Sequence, residues 1–308
     1  MTIAAESRWA ELDGPVHYVD HGGPQDGPLL VLVHGLGGSL LNWSLLAPQL
    51  TQTGRVVALD LAGFGRTRGP ARSASVHANR ELLDRFLREV TGTPAVLVGN
   101  SMGGLITILQ AAAAPATVAG AVLIDPALSV GPGIANPDPR IAAMFAAMSV
   151  PAVGRRLLQR GRDRVSAEVA AEQTLTMCIN DMSRLPRHIV EDHIALAVER
   201  REYEDVDSQL LTAAQSLVWV LLNRGRYAEL QRSMTCPVLL LHGDADRLVP
   251  VEAARAVARA NPEWTFSIAA DVGHTPQLEV PDWTARQILA WLAAHPDVLR
   301  SAAGSAEV

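Results

Sequence analysis

The chain has 308 residues, 48% hydrophobic and 19% charged, with a net charge of −6 and arginine supplying all 26 basic residues. This balance excludes a disordered chain, leaves no basic footprint for nucleic acid, and gives enough length for one large α/β unit carrying an inserted subdomain. Cys178 and Cys236 have no metal-ligand or Cys-x-x-Cys spacing, so metal, redox chemistry and cofactor are not expected. Residues 1–10 lack a signal-like pattern, and no apolar run approaches the ~18 residues of a membrane span; a cytoplasmic protein is expected.

In chain order, Asp13-Gly14 is a turn dipeptide that predicts an antiparallel hairpin with a strand at 16–20, forming one sheet edge. Residues 29–33 and 56–59 are continuous Val- and Leu-rich runs between polar turns, the pattern of strands buried on both faces. Similar runs stand at 95–98, 121–124 and 238–241 and a weaker one at 265–268, with helix-period segments at 79–90, 105–113, 251–260 and 283–294. The alternation predicts an α/β fold with a mostly parallel, doubly wound sheet.

Between Asp125 and Cys236 about 110 residues pass without a buried-strand pattern, too many for one structureless loop. Helical periods at 141–148, 167–177, 189–198 and 210–222 instead predict a cap inserted after the sixth strand, over the C-terminal strand ends. The expected division is a core at 1–126 and 236–308 and a cap at 127–235. Charged stretches at 155–164 and 199–207 read as solvated helix faces, and 301–308 as a frayed end.

Gly99-Asn100-Ser101-Met102-Gly103-Gly104 follows the run at 95–98 and precedes a helical segment. Such a turn holds a serine hydroxyl out where an imidazole and an acyl group can both reach it. A nucleophilic serine needs a base and an acid to orient that base. His242-Gly243-Asp244-Ala245-Asp246 ends one strand, and Gly273-His274 follows the last, giving the order Ser, Asp, His. His274 is the expected base and Asp246 the expected acid; Asp244 reads as a turn residue, and Asp125, at the end of the run 121–124, is a rival acid. His34-Gly35-Leu36-Gly37-Gly38 supplies a Gly-rich turn after a strand, so the N–H groups of Leu36 and Met102 are candidate oxyanion donors.

These segments, together with Asp60-Leu61-Ala62-Gly63-Phe64-Gly65, resemble the α/β-hydrolase superfamily over roughly residues 15–126 and 236–295. Members that act as dehalogenases or epoxide hydrolases use Asp at the elbow, and Ser101 argues against both. The resemblance leaves carboxylesterases and carbon-carbon bond hydrolases, whose elbow is similar to residues 100–104. Those hydrolases usually carry Trp after the histidine, where this chain has Thr275, and no cap arginine for a substrate carboxylate can be chosen between Arg184 and Arg187.

The expectation is therefore a serine hydrolase acting on a small or medium acyl ester, with Gly35, Gly37, Asn100, Phe145 and Met148 near the substrate and no partner beyond it. The alternatives are a hydrolase of ring-cleavage 2-hydroxy-6-oxo-dienoates and a small-molecule receptor that retains the three residues. Oligomeric state is not encoded in these patterns.

Overall fold

The computed structural model describes residues 6–69, 72–129 and 138–301; of the end expected to fray, all but the first residue lies outside them. Its centre is an eight-stranded sheet formed by the apolar runs. The strands are β1 (Glu6–Glu11), β2 (Pro15–Gly22), β3 (Leu29–Val33), β4 (Arg55–Leu59), β5 (Ala95–Asn100), β6 (Val118–Ile124), β7 (Val238–Gly243) and β8 (Thr265–Ala269). They lie in the order β1-β2-β4-β3-β5-β6-β7-β8. β1 and β2 form the expected antiparallel edge hairpin, β2 also pairs antiparallel with β4, and every other pairing is parallel.

The continuous runs arise because alternate side chains enter two separate cores. Val31, Val57, Leu97, Leu123 and Leu240 face one core, and Leu32, Ala58, Val98, Val122 and Leu239 the other. The first core is covered by α1 (Val76–Arg85) and α2 (Met102–Ala113). Among the described residues six α-helices then separate β6 from β7: α3 (Pro139–Ser149), α4 (Pro151–Arg164), α5 (Ala167–Cys178), α6 (Arg187–Arg200), α7 (Val206–Leu222) and α8 (Arg224–Arg232). α9 (Val251–Ala260) joins the first core, and α10 (Pro281–Ala294) covers the second with Trp43, Ile288 and Trp291.

The inserted helices reach the loops at the C-terminal strand ends. Arg200 of α6 donates to the carbonyls of Gly63 and Gly65 after β4, Arg247 after β7 donates to that of Ile179, and the His274 N–H after β8 donates to Cys178 O at 2.7 Å. Residues 155–164 and 224–232, which carry no clear apolar period, are helical as well.

Candidate active site

Ser101 follows β5 and caps α2 with φ 55° and ψ −119°, a left-handed backbone that a non-glycine residue adopts only when its surroundings force it. Its N–H donates to Ile124 O at 3.1 Å, and its carbonyl accepts from Leu105 N at 3.1 Å and Ala127 N at 2.9 Å. The tight crossing needs glycine: a Cβ on Gly103 would stand 2.0 Å from Val33 O, and one on Gly35 2.9 Å from Ser101 Cβ. The loop after β3 thus lies directly against the serine.

His34 shapes that loop. Its Nε2 accepts from Leu61 N at 3.0 Å, so the proton sits on Nδ1, which donates to Gly35 O at 2.8 Å, and burial keeps the ring neutral. Among the described residues, neither Leu36 N–H nor Met102 N–H is spent on a turn or a side chain. For Met102 the reason is general, since the first N–H groups of a helix have no intrahelical acceptor.

Asp246 and His274 are in direct contact. His274 Nδ1 lies 2.7 Å from Asp246 Oδ2, while Asp246 Oδ1 accepts from Leu248 N at 2.7 Å and Val249 N at 3.1 Å. Burial opposes ionisation of Asp246, but the contact with His274 and the Val249 N–H outweigh it and hold the carboxyl below its ordinary range. An ionised carboxylate can only accept, so Nδ1 carries the imidazole proton. Nε2 is then the basic nitrogen, and it is buried without a hydrogen-bond partner among the described residues. Asp244 serves the turn, its Oδ1 accepting from Asp271 N at 2.6 Å.

Asn100 couples the histidine to the serine turn. Its amide donates to Ile124 O and to His274 O, both at 3.0 Å, and the side chain is buried. Expected at the substrate, it is instead part of the scaffold, because both amide hydrogens are used on backbone carbonyls. Met148 packs with Leu211 and Ala214 against Leu36 and Met144, which joins the inserted helices to the loop beside Ser101. Phe145 is half-buried and lies outside that cluster, and Gly37, at φ 73°, is exposed at the turn.

Glu279 escaped the sequence reading. It is buried, and its carboxylate accepts from Gly273 N at 2.9 Å, Asn180 N and Asp181 N at 3.0 Å each, and Arg184 Nη1 at 3.1 Å, tying the end of α5 to the His274 loop. Its place between Leu278 and Val280, five residues after His274, was the only available signal. A second hydrogen-bonded chain runs from Ser7 through His17 to Asp60, at 2.8 and 2.7 Å. Ser7 is in a regular strand, and Asp60 also accepts from Leu40 N and Arg66 N, so this chain braces two loops.

A family model for the alpha/beta hydrolase fold matches residues 28–281. The chain belongs to that family. This alpha/beta hydrolase is 28% identical over 94% of its length to 67% of a dihydrolipoyllysine-residue acetyltransferase component of an acetoin cleaving system from Pseudomonas putida. It is 29% identical over 91% of its length to 92% of a magnesium-chelatase 30 kDa subunit from Rhodobacter capsulatus. Among solved structures it resembles a membrane phospholipase A described as a bacterial virulence factor, with a TM-score of 0.71 and 27% identity over 94% of this chain and 86% of that one. Among the described residues no single helix is long and apolar enough to cross a membrane.

Proposed function

We propose that this alpha/beta hydrolase cleaves carboxylic esters of small or medium acyl groups through an acyl-enzyme. The observation that carries the reading is the Nε2 of His274, buried without a hydrogen-bond partner among the described residues, made basic by the Nδ1–H to Asp246 hydrogen bond and tied through Asn100 to the turn that carries the strained Ser101. His274 takes the Ser101 proton as the hydroxyl attacks the ester carbonyl, then returns it to the leaving alcohol. Water attacks the acyl-enzyme with the same base. Leu36 N–H and Met102 N–H stabilise the oxyanion, each worth on the order of 3 kcal/mol.

In this reading, residues 127–235 form a cap on a core of 1–126 and 236–308, and Leu36, Met144 and Met148 bound the acyl side. The resemblance to a phospholipase A, an ester hydrolase by name, supports the substrate class. Carbon-carbon bond hydrolysis is less well supported, because neither cap arginine is free for a substrate carboxylate. Arg184 pairs with Asp271 and Glu279, and Arg187 is 92% exposed beside Glu191.

The test is p-nitrophenyl butyrate hydrolysis, with a fluorophosphonate located by mass spectrometry. Ser101→Ala is expected to lose turnover by ~10³-fold or more and to take no label. Saturable turnover distinguishes an enzyme from a receptor, and a label on a residue other than Ser101 refutes the assignment.

A further inference from the structure

Asp125 is a buried carboxyl to which the proposed mechanism gives no role. Asp125 follows β6 at φ 41° and is fully buried. Asp246, its neighbour, accepts three N–H donors, as an ionised carboxylate should. Asp125 accepts one, from Gly243 N to Oδ1 at 2.9 Å, and its Oδ2 meets no donor among the described residues. A buried carboxylate oxygen in that state is costly, whereas a protonated one becomes a donor.

His242 is not the missing counter-charge. Its Nε2 is 3.5 Å from Asp125 Oδ1 and 3.5 Å from Asp246 Oδ2, but donates to Val249 O at 2.9 Å, and burial keeps the ring neutral. The same hydrogen bond argues against a cation among Asp125, His242 and Asp246, whose nearest ligand atoms lie within 4.8 Å of one another. A nitrogen facing a carbonyl oxygen carries hydrogen and has no lone pair to offer a metal.

We propose that Asp125 is a protonated carboxylic acid that donates its O–H to Asp246 and so sets how strongly Asp246 holds the His274 proton. This rests on the reading of Asp246 and His274 as orienting acid and base. Burial first, then the charge of Asp246, raises Asp125 well above the ordinary carboxyl range, and carboxylate oxygens of the two lie within 4.8 Å of each other. The other titratable groups around the pair are His242 and His274, Glu279 after the His274 loop, and Cys178, which feels the charges of both Asp246 and Arg247. Asp125 is a positioning residue in this scheme, since it acts only through Asp246.

Two substitutions separate this role from a structural one. Asp125→Asn keeps an N–H donor for Asp246 and an acceptor for Gly243, and asparagine tolerates positive φ. Its kcat/KM for p-nitrophenyl butyrate is expected within about threefold of the parent, with the acidic limb of the pH profile unmoved. Asp125→Ala removes the donor, so Asp246 holds the His274 proton more tightly and the acidic limb moves up by about one pH unit, with the alkaline plateau retained. A structural role alone lowers the plateau without moving the limb, and that result would overturn the proposal.

The infrared difference between parent and Asp125→Asn at neutral pH should show the carbonyl stretch of a protonated carboxylic acid. Its absence, or a hundredfold fall in Asp125→Asn turnover, would refute a neutral Asp125. The infrared measurement needs no substrate, so a chain inert toward esters would defeat the proposed function and leave this proposal to be decided by the band.

Discussion

His274 can act as a base at Nε2 only while a carboxylate holds the proton on Nδ1, and Asp246 does so at 2.7 Å. Asp246→Asn can place an amide N–H against Nδ1 and favour the opposite tautomer, so kcat is expected to fall by ~10³- to 10⁴-fold with little change in KM, measured on p-nitrophenyl butyrate. Asp125 gives a prediction of opposite sign for stability. Its folded-state pKa lies above the ordinary 3.8, so the native chain binds this proton more tightly than the unfolded one. The stabilisation is complete below the ordinary value and is lost as pH rises toward the folded value. The melting temperature of Asp125→Asn relative to the parent is therefore expected to increase from pH 4 to pH 8. A constant difference by calorimetry would count against a raised pKa. The choice of Asp246 over Asp244 could be made from sequence, because a residue beside Gly243 tends to serve a turn; the contact between Asp246 and Asp125 could not, because the residues are distant in the chain.

At the scale of elements, five of the six parallel strands were legible from near-continuous apolar runs, β8 with its Thr265 and Ser267 giving a weaker signal, and β3 occupies the predicted 29–33. Helices were harder to read. α2 begins at Met102, three residues before the predicted start, because the glycines at 103 and 104 are selected by close backbone approach and carry no apolar period. α4 was hidden because it buries only Gly154 and leaves apolar and charged residues alike, Val153 and Leu157 among them, exposed. Glu279 matters at this scale, since four donors from three segments converge on it. Glu279→Ala strands three N–H groups and part of Arg184, and is expected to cost about 3 kcal/mol in the denaturant midpoint and to lower kcat by loosening the His274 loop. Unchanged stability would show that the inserted helices hold that loop by other means.

Across the whole molecule, two cores on opposite faces of one sheet bury the chain without a disulfide. Burial, and for Cys178 also the charge of Asp246, pushes the thiols up to about 12 for Cys178 and about 11 for Cys236. Neither is expected to react with a disulfide reagent at pH 8 in the native state, and both should react on unfolding; rapid native labelling would contradict the packing around them. The sequence by itself determined the strand-helix alternation, the serine turn and the order Ser101, Asp246, His274, because local backbone demands and apolar periodicity are written in neighbouring residues. Only the tertiary structure decided that Asn100 belongs to the scaffold, that Glu279 clamps the histidine loop, and that Asp125 lies against Asp246. Each depends on which polar atoms find partners after parallel strands bring distant segments together, and no local pattern records that pairing.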